Sequence, residues 1–260
     1  MSMIDIRNLR FKYCKKGRTI LDGLRLTCEK GSVNVLLGLN GSGKTTLIKI
    51  MAGLLESYEG DVLWDGRKLR DIGIRERSKI TSYVAQRSGA IDDFSVWSYL
   101  LSGGINKLSW FENPSDKNRE TVDKYAGEMG ITYLLDRKLG EISGGERQLV
   151  SICCALIQDT ELIILDEPTS ALDIKNQNKV LSVLNKVSEK NGKTIILSSH
   201  NPNHALYLDA NVILLKDGKI YGQGKSNEII NPETLREIYG DEVCYSNELA
   251  YSEISFKRTN

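Results

Sequence analysis

The chain has 260 residues, and its 35 lysines and arginines are nearly balanced by 34 aspartates and glutamates, which leaves a net charge of +1. A chain of this length can bury the core of one large α/β domain, and its balanced charge argues against the broad basic surface typical of nucleic-acid binders. No apolar run approaches the ~18 residues needed to cross a bilayer, the charged N-terminus is unlike a signal peptide, and the five cysteines form no C-x-x-C pair. We therefore expect a soluble, cytoplasmic protein with reduced thiols.

The first part of the chain predicts β-structure around one helix. The segment Ile4–Leu26 contains β-like runs with a turn near Lys15–Gly17, which predicts an antiparallel hairpin. Val33–Leu37 is short, apolar and rich in valine, as expected of a buried parallel strand, and Thr46–Ala52 has the apolar spacing of a helix. A strand that ends in an Asp-Gly turn is predicted at 60–66, and another strand at 80–84.

Between the predicted strand and helix lies the loop 38–45 with the sequence GLNGSGKT, a complete G-x-x-x-x-G-K-[ST] motif. Its glycines let the backbone turn sharply, so that amide N–H groups and the positive end of the helix dipole face a phosphate chain. Lys44 is expected to reach the outer phosphates of a nucleoside triphosphate, and the Thr45 hydroxyl to bind magnesium. The nucleotide-binding residues predicted in this stretch are Gly38, Asn40, Gly41, Ser42, Gly43, Lys44, Thr45 and Thr46.

The remainder of the chain predicts a helical segment and then more of a parallel sheet. From about 88 to 156 the pattern is mostly helical, and we expect an inserted helical subdomain there. Buried strands at 162–165 and 194–197 flank a helix at about 174–190, and this alternation argues for parallel strands. A closing hairpin turns at Asp217–Gly218.

Together these elements predict an α/β fold. We expect a P-loop NTPase core with a mixed, mainly parallel sheet, an N-terminal antiparallel β subdomain and the inserted α-helical subdomain. One domain would occupy 1–240, and the polar tail 241–260 shows little pattern.

Two acids follow the predicted strand 162–165. Asp166 and Glu167 stand at the end of a buried apolar run, where carboxylates must be paired, hydrated or bound to a metal. With a phosphate-binding loop in the same chain, we expect Asp166 to hold magnesium, and Glu167 to orient and deprotonate an attacking water. A solvated strand end before the turn at Pro168 is the alternative interpretation.

A second candidate phosphate site begins at Ser143. Ser143, Gly144 and Gly145 open a helix-like run, and a helix that starts with a serine and two glycines can offer backbone N–H groups to a phosphate. An ordinary serine-capped helix is the alternative.

In this order the motifs resemble the nucleotide-binding subunit of ABC transporters over nearly the whole chain. Ile142–Gln148 resembles the signature usually written L-S-G-G-x-Q, with Ile142 in place of leucine, and Asp166 and Glu167 resemble the Walker B pair. Leu101–Gly104 spells the tetrapeptide better but lies too early to precede the acidic strand, so we favour the later copy. The resemblance adds an adenine-stacking Tyr13, Gln86 between core and helical subdomain, a D-loop at 170–173 and a switch histidine at His200.

The resemblance also implies a mechanism. Two copies would pair head to tail as a homodimer around two ATP and Mg²⁺, so that Ser143, Gly144, Gly145 and Asp173 of one copy complete the other copy's site. It implies the catalytic residues Glu167, His200, Gln86 and Lys44, and the magnesium ligands Thr45, Gln86 and Asp166. His204 is interpreted as structural.

The stretches 214–224 and 232–240 are similar to subunits that serve iron–siderophore, haem or cobalamin import. The resemblance therefore implies the ATP-hydrolysing subunit of an importer, held at the cytoplasmic face of the membrane by permease subunits and connected through them to a substrate-binding protein, with no nucleic-acid partner. Trp97, Trp110 and Phe111 are candidates for the permease contact, although core packing explains each equally well. A soluble ABC ATPase acting on DNA or the ribosome, and the motor of an exporter, remain as alternatives.

Overall fold

The computed structural model of the chain describes residues 1–86, 92–104, 116–241, 243–246 and 253–256. They belong to two compact units, Met1–Ile72 with Thr194–Asn260 and Gly73–Lys193. Within these described ranges, no helix has both the length and the apolar character needed to cross a membrane.

The secondary-structure elements are numbered along the chain. The strands are β1 (Ser2–Phe11), β2 (Leu21–Glu29), β3 (Val33–Leu37), β4 (Glu59–Trp64), β5 (Arg67–Lys68), β6 (Thr81–Val84), β7 (Leu162–Leu165), β8 (Thr194–Ser199), β9 (Asn211–Lys216), β10 (Lys219–Lys225), β11 (Val243–Ser246) and β12 (Glu253–Phe256). The α-helices are α1 (Lys44–Met51), α2 (Ile74–Ile80), α3 (Val96–Gly103), α4 (Asp116–Met129), α5 (Gly144–Ile157), α6 (Ile174–Asn191), α7 (Pro202–Tyr207), α8 (Ser226–Ile229) and α9 (Pro232–Tyr239).

The first unit contains an antiparallel sheet with the strand order β2-β1-β4-β5. Ile4 in β1 pairs with Cys28 on one side and with Trp64 on the other, and all three side chains are buried. The segment between β1 and β2 turns where Gly17 N–H donates to the Cys14 carbonyl at 2.9 Å. The predicted N-terminal hairpin and antiparallel β subdomain are therefore confirmed.

A second sheet of the first unit carries the phosphate-binding motif. Its strands lie in the order β10-β9-β3-β8, with β3 parallel to both neighbours and β10 antiparallel to β9. All five residues of β3 are buried, as is typical of an inner strand of a parallel sheet, where other elements cover both faces. This sheet is mixed and mainly parallel, as predicted, and the loop 38–45 leaves the carboxyl end of its inner strand, where α/β folds bind ligands.

Helix α1 begins at Lys44, two residues before the predicted start at Thr46. Gly43 serves as its N-cap in a left-handed conformation (φ 106°), so the last residues of the glycine-rich loop already belong to the helix. At the other end, buried Trp64 donates from Nε1 to the Met51 carbonyl at 3.0 Å. This bond links the antiparallel sheet to the helix that follows the loop.

The second unit combines two parallel strands with helices. β6 and β7 pair from Thr81 with Leu162 to Val84 with Leu165, and α3 and α4 both contact α5. The predicted helical segment 88–156 covers α3, α4 and α5. The inserted subdomain and its bounds remain predictions, and 87–91 and 105–115 lie outside the described residues. Trp110 and Phe111 fall in the second of these ranges.

The tail beyond residue 240 contains two strands that the sequence pattern did not indicate. β11 and β12 pair antiparallel, with Val243 opposite Phe256 and Ser246 opposite Glu253. Each strand is four residues long, too short for its alternation to stand out from a polar segment.

Candidate functional site

The glycine-rich loop of the first unit is shaped by its close neighbours. A Cβ atom on Gly38 would lie 2.2 Å from the Leu215 carbonyl oxygen, and one on Gly43 would lie 2.8 Å from Leu21 Cδ2. Gly38, Gly41 and Gly43 all have positive φ, so L side chains at these positions would be strained even in open space. The sequence thus builds a bare backbone turn against β9 and the start of β2.

Two buried polar groups of this loop have the chemistry of a phosphate cradle. Lys44 Nζ donates to the carbonyls of Gly38 at 2.8 Å and Leu39 at 3.1 Å, which holds the ammonium group over the turn. The Ser42 hydroxyl is buried and has no hydrogen-bond partner among the described residues. Because an unsatisfied buried hydroxyl costs about 1–3 kcal/mol, the loop fits a ligand that accepts a hydrogen bond there, such as a phosphate.

Tyr13 lies beside the helix that follows the loop. Its hydroxyl is 3.1 Å from Thr46 Oγ1, and its ring meets Phe11 edge-on with 4.9 Å between the ring centroids. The side chain is 61 % exposed and lines a cavity of about 650 Å³ together with Lys12 and Lys15. An exposed aromatic face next to basic side chains can take a flat ring joined to an anion.

His200 follows the last residue of β8. Leu37 at the end of β3 pairs with Ser199 at the end of β8, so the glycine-rich loop and His200 leave the sheet side by side. His200 is exposed, whereas His204 is buried and its Nδ1 lies 3.0 Å from the Ser199 hydroxyl. Burial, with a smaller contribution from the nearby His200, lowers the pKa of His204 to about 4. His204 is thus a neutral packing residue at pH 7.

In the second unit, the acidic residues stand at the end of β7 beside Gln86. Asp166 is fully buried, and its N–H donates to the Val84 carbonyl at 2.9 Å. Gln86 Nε2 donates to Glu167 Oε2 at 2.9 Å, which brings together two predicted catalytic residues that are 81 positions apart.

Around these acids, the φ angle of Glu167 and the pKa of Tyr83 both depart from their ordinary values. Glu167 has φ 47°, a left-handed conformation that is uncommon for residues other than glycine. Burial first, and the negative charge of Asp166 second, raise the pKa of Tyr83 to about 12. Asp166 is therefore buried at the strand end, and the chain leaves the strand through a left-handed residue at Glu167.

The predicted signature segment forms the N-terminus of α5. Ser143 is the N-cap, and its hydroxyl accepts from the Glu146 N–H at 3.3 Å while the Glu146 carboxylate accepts from Ser143 N–H at 2.9 Å. The earlier copy, Leu101–Gly104, includes the last turn of α3. A helix C-terminus presents carbonyls rather than N–H groups, so only the later copy has the geometry to bind an anion.

The predicted D-loop lies against this helix start. A Cβ atom on Gly145 would lie 3.0 Å from the Ala171 carbonyl oxygen. Asp173 caps α6 by accepting from Asn176 N–H at 2.8 Å. Gln177 belongs to none of the predicted motifs, yet its Nε2 donates to the carbonyls of both Thr169 and Leu172. No sequence signal marks it beyond its position one turn after Asp173.

The described residues contain no cluster of three or more histidine, cysteine, aspartate or glutamate side chains of the kind that forms a protein-only metal site.

The side chain of Trp97 is only partly buried, and the backbone N–H of this residue donates to the Leu135 carbonyl. Cys154 on α5 is a buried packing residue rather than a reactive thiol, because burial raises the pKa of Cys154 to about 11.

Comparisons with known proteins agree with this geometry. The family model described as ABC transporter matches residues 21–170, more than half of the chain. The petrobactin import ATP-binding protein FpuD of Bacillus anthracis is 31 % identical over 237 residues, covering 91 % of this chain and 86 % of FpuD. The iron(3+)-hydroxamate import ATP-binding protein FhuC of Bacillus subtilis is 31 % identical over 222 residues, covering 85 % of this chain and 82 % of FhuC.

The fold has solved counterparts as well. The ATP-binding cassette MJ0796, in a dimeric post-hydrolysis state bound to ADP and Pi, superposes with a TM-score of 0.79 at 26 % identity, covering 86 % of this chain and 99 % of that one. The expected P-loop NTPase fold is therefore confirmed.

Proposed function

Since this chain belongs to the ABC transporter family and is an ATPase of that family, we propose that it energises an importer of an iron–siderophore, haem or cobalamin type of cargo. The observation that carries the nucleotide part of the proposal is the loop 38–45, where a buried lysine and an unsatisfied serine hydroxyl face a bare glycine turn. The observation behind the cargo class is that relatives such as FpuD and FhuC are named for petrobactin and iron(3+)-hydroxamate import.

In the proposed mechanism, ATP binds with its phosphates on the loop and its adenine against Tyr13. Lys44 neutralises part of the phosphate charge, and backbone N–H groups of the loop donate hydrogen bonds to the phosphate oxygens. The proposed loop residues are Gly38, Asn40, Gly41, Ser42, Gly43, Thr45 and Thr46. Mg²⁺, when bound, would supply positive charge that stabilises the outer phosphates as they react. Its proposed protein ligands are the oxygens of Thr45, Gln86 and Asp166, a hard donor set of the kind that Mg²⁺ prefers.

Hydrolysis requires an oriented water. We assign that role to Glu167, which the amide of Gln86 holds by a hydrogen bond of 2.9 Å. His200 supplies a donor toward the outermost phosphate, and Lys44 holds that phosphate in place. The chemistry needs little more than positioning and charge neutralisation, as is general for phosphoryl transfer.

A second copy of the chain completes the site in this proposal. Ser143, Gly144 and Gly145 at the start of α5 present N–H groups and a hydroxyl to the nucleotide of the other copy, with Asp173 beside them. The dimeric structure of MJ0796 supports a homodimer. Closure of the dimer would move permease subunits at the cytoplasmic face of the membrane, and through them act on a substrate-binding protein.

The proposal is tested by identifying what the chain binds in cells. The Glu167→Gln variant, which should bind ATP without turning it over, is purified by affinity from detergent-solubilised membranes with ATP and Mg²⁺, and its partners are identified by mass spectrometry. We expect a multispanning permease, and the Lys44→Ala variant, which cannot close on ATP, should retain less of it. Ribosomal proteins or DNA in place of a permease would contradict the importer assignment and favour a soluble ABC ATPase.

A further inference from the structure

The carboxylate of Glu146 is the meeting point of three hydrogen-bond donors at the start of α5. Its Oε2 accepts from Ser143 N–H at 2.9 Å and from the Ser143 hydroxyl at 2.8 Å. Its Oε1 accepts from the Tyr133 hydroxyl at 2.8 Å. Both oxygens are therefore engaged, one by the serine and the other by the tyrosine.

This arrangement fixes the single proton of the Ser143 hydroxyl. A hydroxyl group has one hydrogen to donate, and here it is directed to Glu146, while the oxygen accepts from the Glu146 N–H at 3.3 Å. For Ser143 to donate to a phosphate, its hydrogen must leave the Glu146 carboxylate. After that change, the Tyr133 hydroxyl is the side-chain donor that still holds the Glu146 carboxylate, through Oε1.

We infer that Tyr133 is a positioning residue for the phosphate-binding turn at Ser143. Its hydroxyl anchors the Glu146 carboxylate on the helix start, so that Ser143 can turn to the nucleotide of a second copy without releasing the cap of α5. The inference rests on the proposed function, in which Ser143 contacts that nucleotide.

The electrostatics of the cluster support this role. The hydrogen bond from Ser143 N–H, then that from the Ser143 hydroxyl, then that from Tyr133 keep the pKa of Glu146 below its usual value. Glu146 therefore stays ionised at the helix N-terminus, where the helix dipole favours an anion. An ionised carboxylate near an incoming phosphate repels the phosphate. The Tyr133 hydroxyl donates to Oε1 of Glu146 and so draws negative charge away from the oxygen that faces Ser143.

The setting of Tyr133 makes the hydroxyl separable from the fold. Its backbone lies in a 3-10 turn, Thr132–Leu134, flanked by buried Ile131 and ending in buried Leu134. Its own side chain is 68 % exposed. Removing one oxygen from an exposed ring leaves the packing of this turn intact, so Tyr133→Phe is a clean perturbation.

The test measures ATP-driven dimerisation in the Glu167→Gln background by analytical ultracentrifugation. Tyr133 acts on the nucleotide only through Glu146, so its loss should weaken each nucleotide contact about fivefold, the effect of a typical net hydrogen bond. Two equivalent sites should then raise the dimer dissociation constant about 25-fold. Binding of ADP to the single chain, which does not use Ser143, should be unchanged. Tyr207→Phe, at an exposed tyrosine on α7, is the matched control and should dimerise like the parent.

A double-mutant cycle with Glu146→Ala separates positioning from a general structural effect. If Tyr133 acts through Glu146, adding Tyr133→Phe to Glu146→Ala should cause no further loss of dimer. An unchanged dimer in Tyr133→Phe alone, or an equal loss in both backgrounds, would overturn the inference. A parent protein that binds ATP but never dimerises would instead contradict the proposed function, so the two failures are distinguishable.

Discussion

Two Asp-Gly turns of the first unit offer a sharp test of how the phosphate-binding loop is supported. Asp65–Gly66 joins β4 to β5, and Asp217–Gly218 joins β9 to β10. Their backbones match closely, with φ 48° and 77° in the first turn and 47° and 73° in the second. We therefore compare Gly218→Ala with Gly66→Ala, two substitutions that impose the same local strain.

The surroundings of the two glycines differ. A Cβ atom on Gly66 meets nothing within 4 Å, whereas one on Gly218 would lie 2.2 Å from the Ile20 carbonyl oxygen. Gly218 N–H also donates to the Ser42 carbonyl at 3.1 Å, and its carbonyl accepts from Asp22 N–H at 2.9 Å. The second turn is thus wedged between the glycine-rich loop and the start of β2, and an added methyl must push one of them away.

These contacts give the expected magnitudes. A left-handed alanine costs about 1–2 kcal/mol in either turn, and overpacking against the Ile20 backbone adds about 1–3 kcal/mol at Gly218 only. Gly66→Ala should therefore lower the free energy of unfolding by about 1–2 kcal/mol and Gly218→Ala by about 2–5 kcal/mol. Because the Ser42 carbonyl would move with the turn, Gly218→Ala should also weaken ATP binding by about tenfold, equivalent to roughly 1.4 kcal/mol.

Urea unfolding followed by tryptophan fluorescence gives the first quantity, and titration with a fluorescent ATP analogue gives the second. Equal destabilisation of the two variants would refute the idea that Gly218 is confined by Ile20. Normal nucleotide affinity in Gly218→Ala would refute the idea that this turn supports the loop.

Two further predictions concern single side chains. The pKa of His204 is about 4 in the folded chain against 6.5 for an unperturbed histidine, so the unfolded chain binds this proton more readily between those pH values. The contribution of His204 to the free energy of unfolding should therefore be constant above about pH 7 and fall by up to about 3 kcal/mol as the pH drops toward 4. Urea unfolding at pH 7.5 and pH 5 should show a smaller difference in His204→Asn than in the parent, and an identical difference would contradict the assignment. Lys44→Ala should weaken ATP binding more than about 100-fold, because the lysine supplies charge-assisted hydrogen bonds to phosphate. Lys49→Ala, a control in the last turn of the same helix, should bind ATP normally in the same titration. Equal effects of the two substitutions would argue against a specific role for Lys44.

The features that the sequence predicted best are local ones. The loop 38–45 was identifiable because its residues act through their own backbone, and β3 and β7 because continuous apolar runs mark strands covered on both faces. The contact between Gln86 and Glu167 spans 81 positions, and only the family resemblance pointed to Gln86. No local pattern could have predicted it.

Other contacts have no sequence signature at all. Tyr133 reaches Glu146 from a 3-10 turn, and Gln177 binds two carbonyls of the segment before α6. Both depend on how one element lies beside another, which side-chain periodicity does not encode. The strands β11 and β12 were missed because four alternating residues are too few to identify a strand in a polar tail.

This chain is an ATPase of the ABC family, and we propose that Glu167 orients the attacking water. The most direct measurement is steady-state phosphate release by the parent and by Glu167→Gln at saturating ATP and Mg²⁺, with ATP binding measured on the same preparations. We expect the parent to turn over, and Glu167→Gln to bind ATP equally well but to lose at least about 100-fold in rate, as is typical for a general base. Equal phosphate release by the two proteins would contradict the role of Glu167, and a parent that binds ATP without releasing phosphate would contradict the assignment of hydrolysis itself.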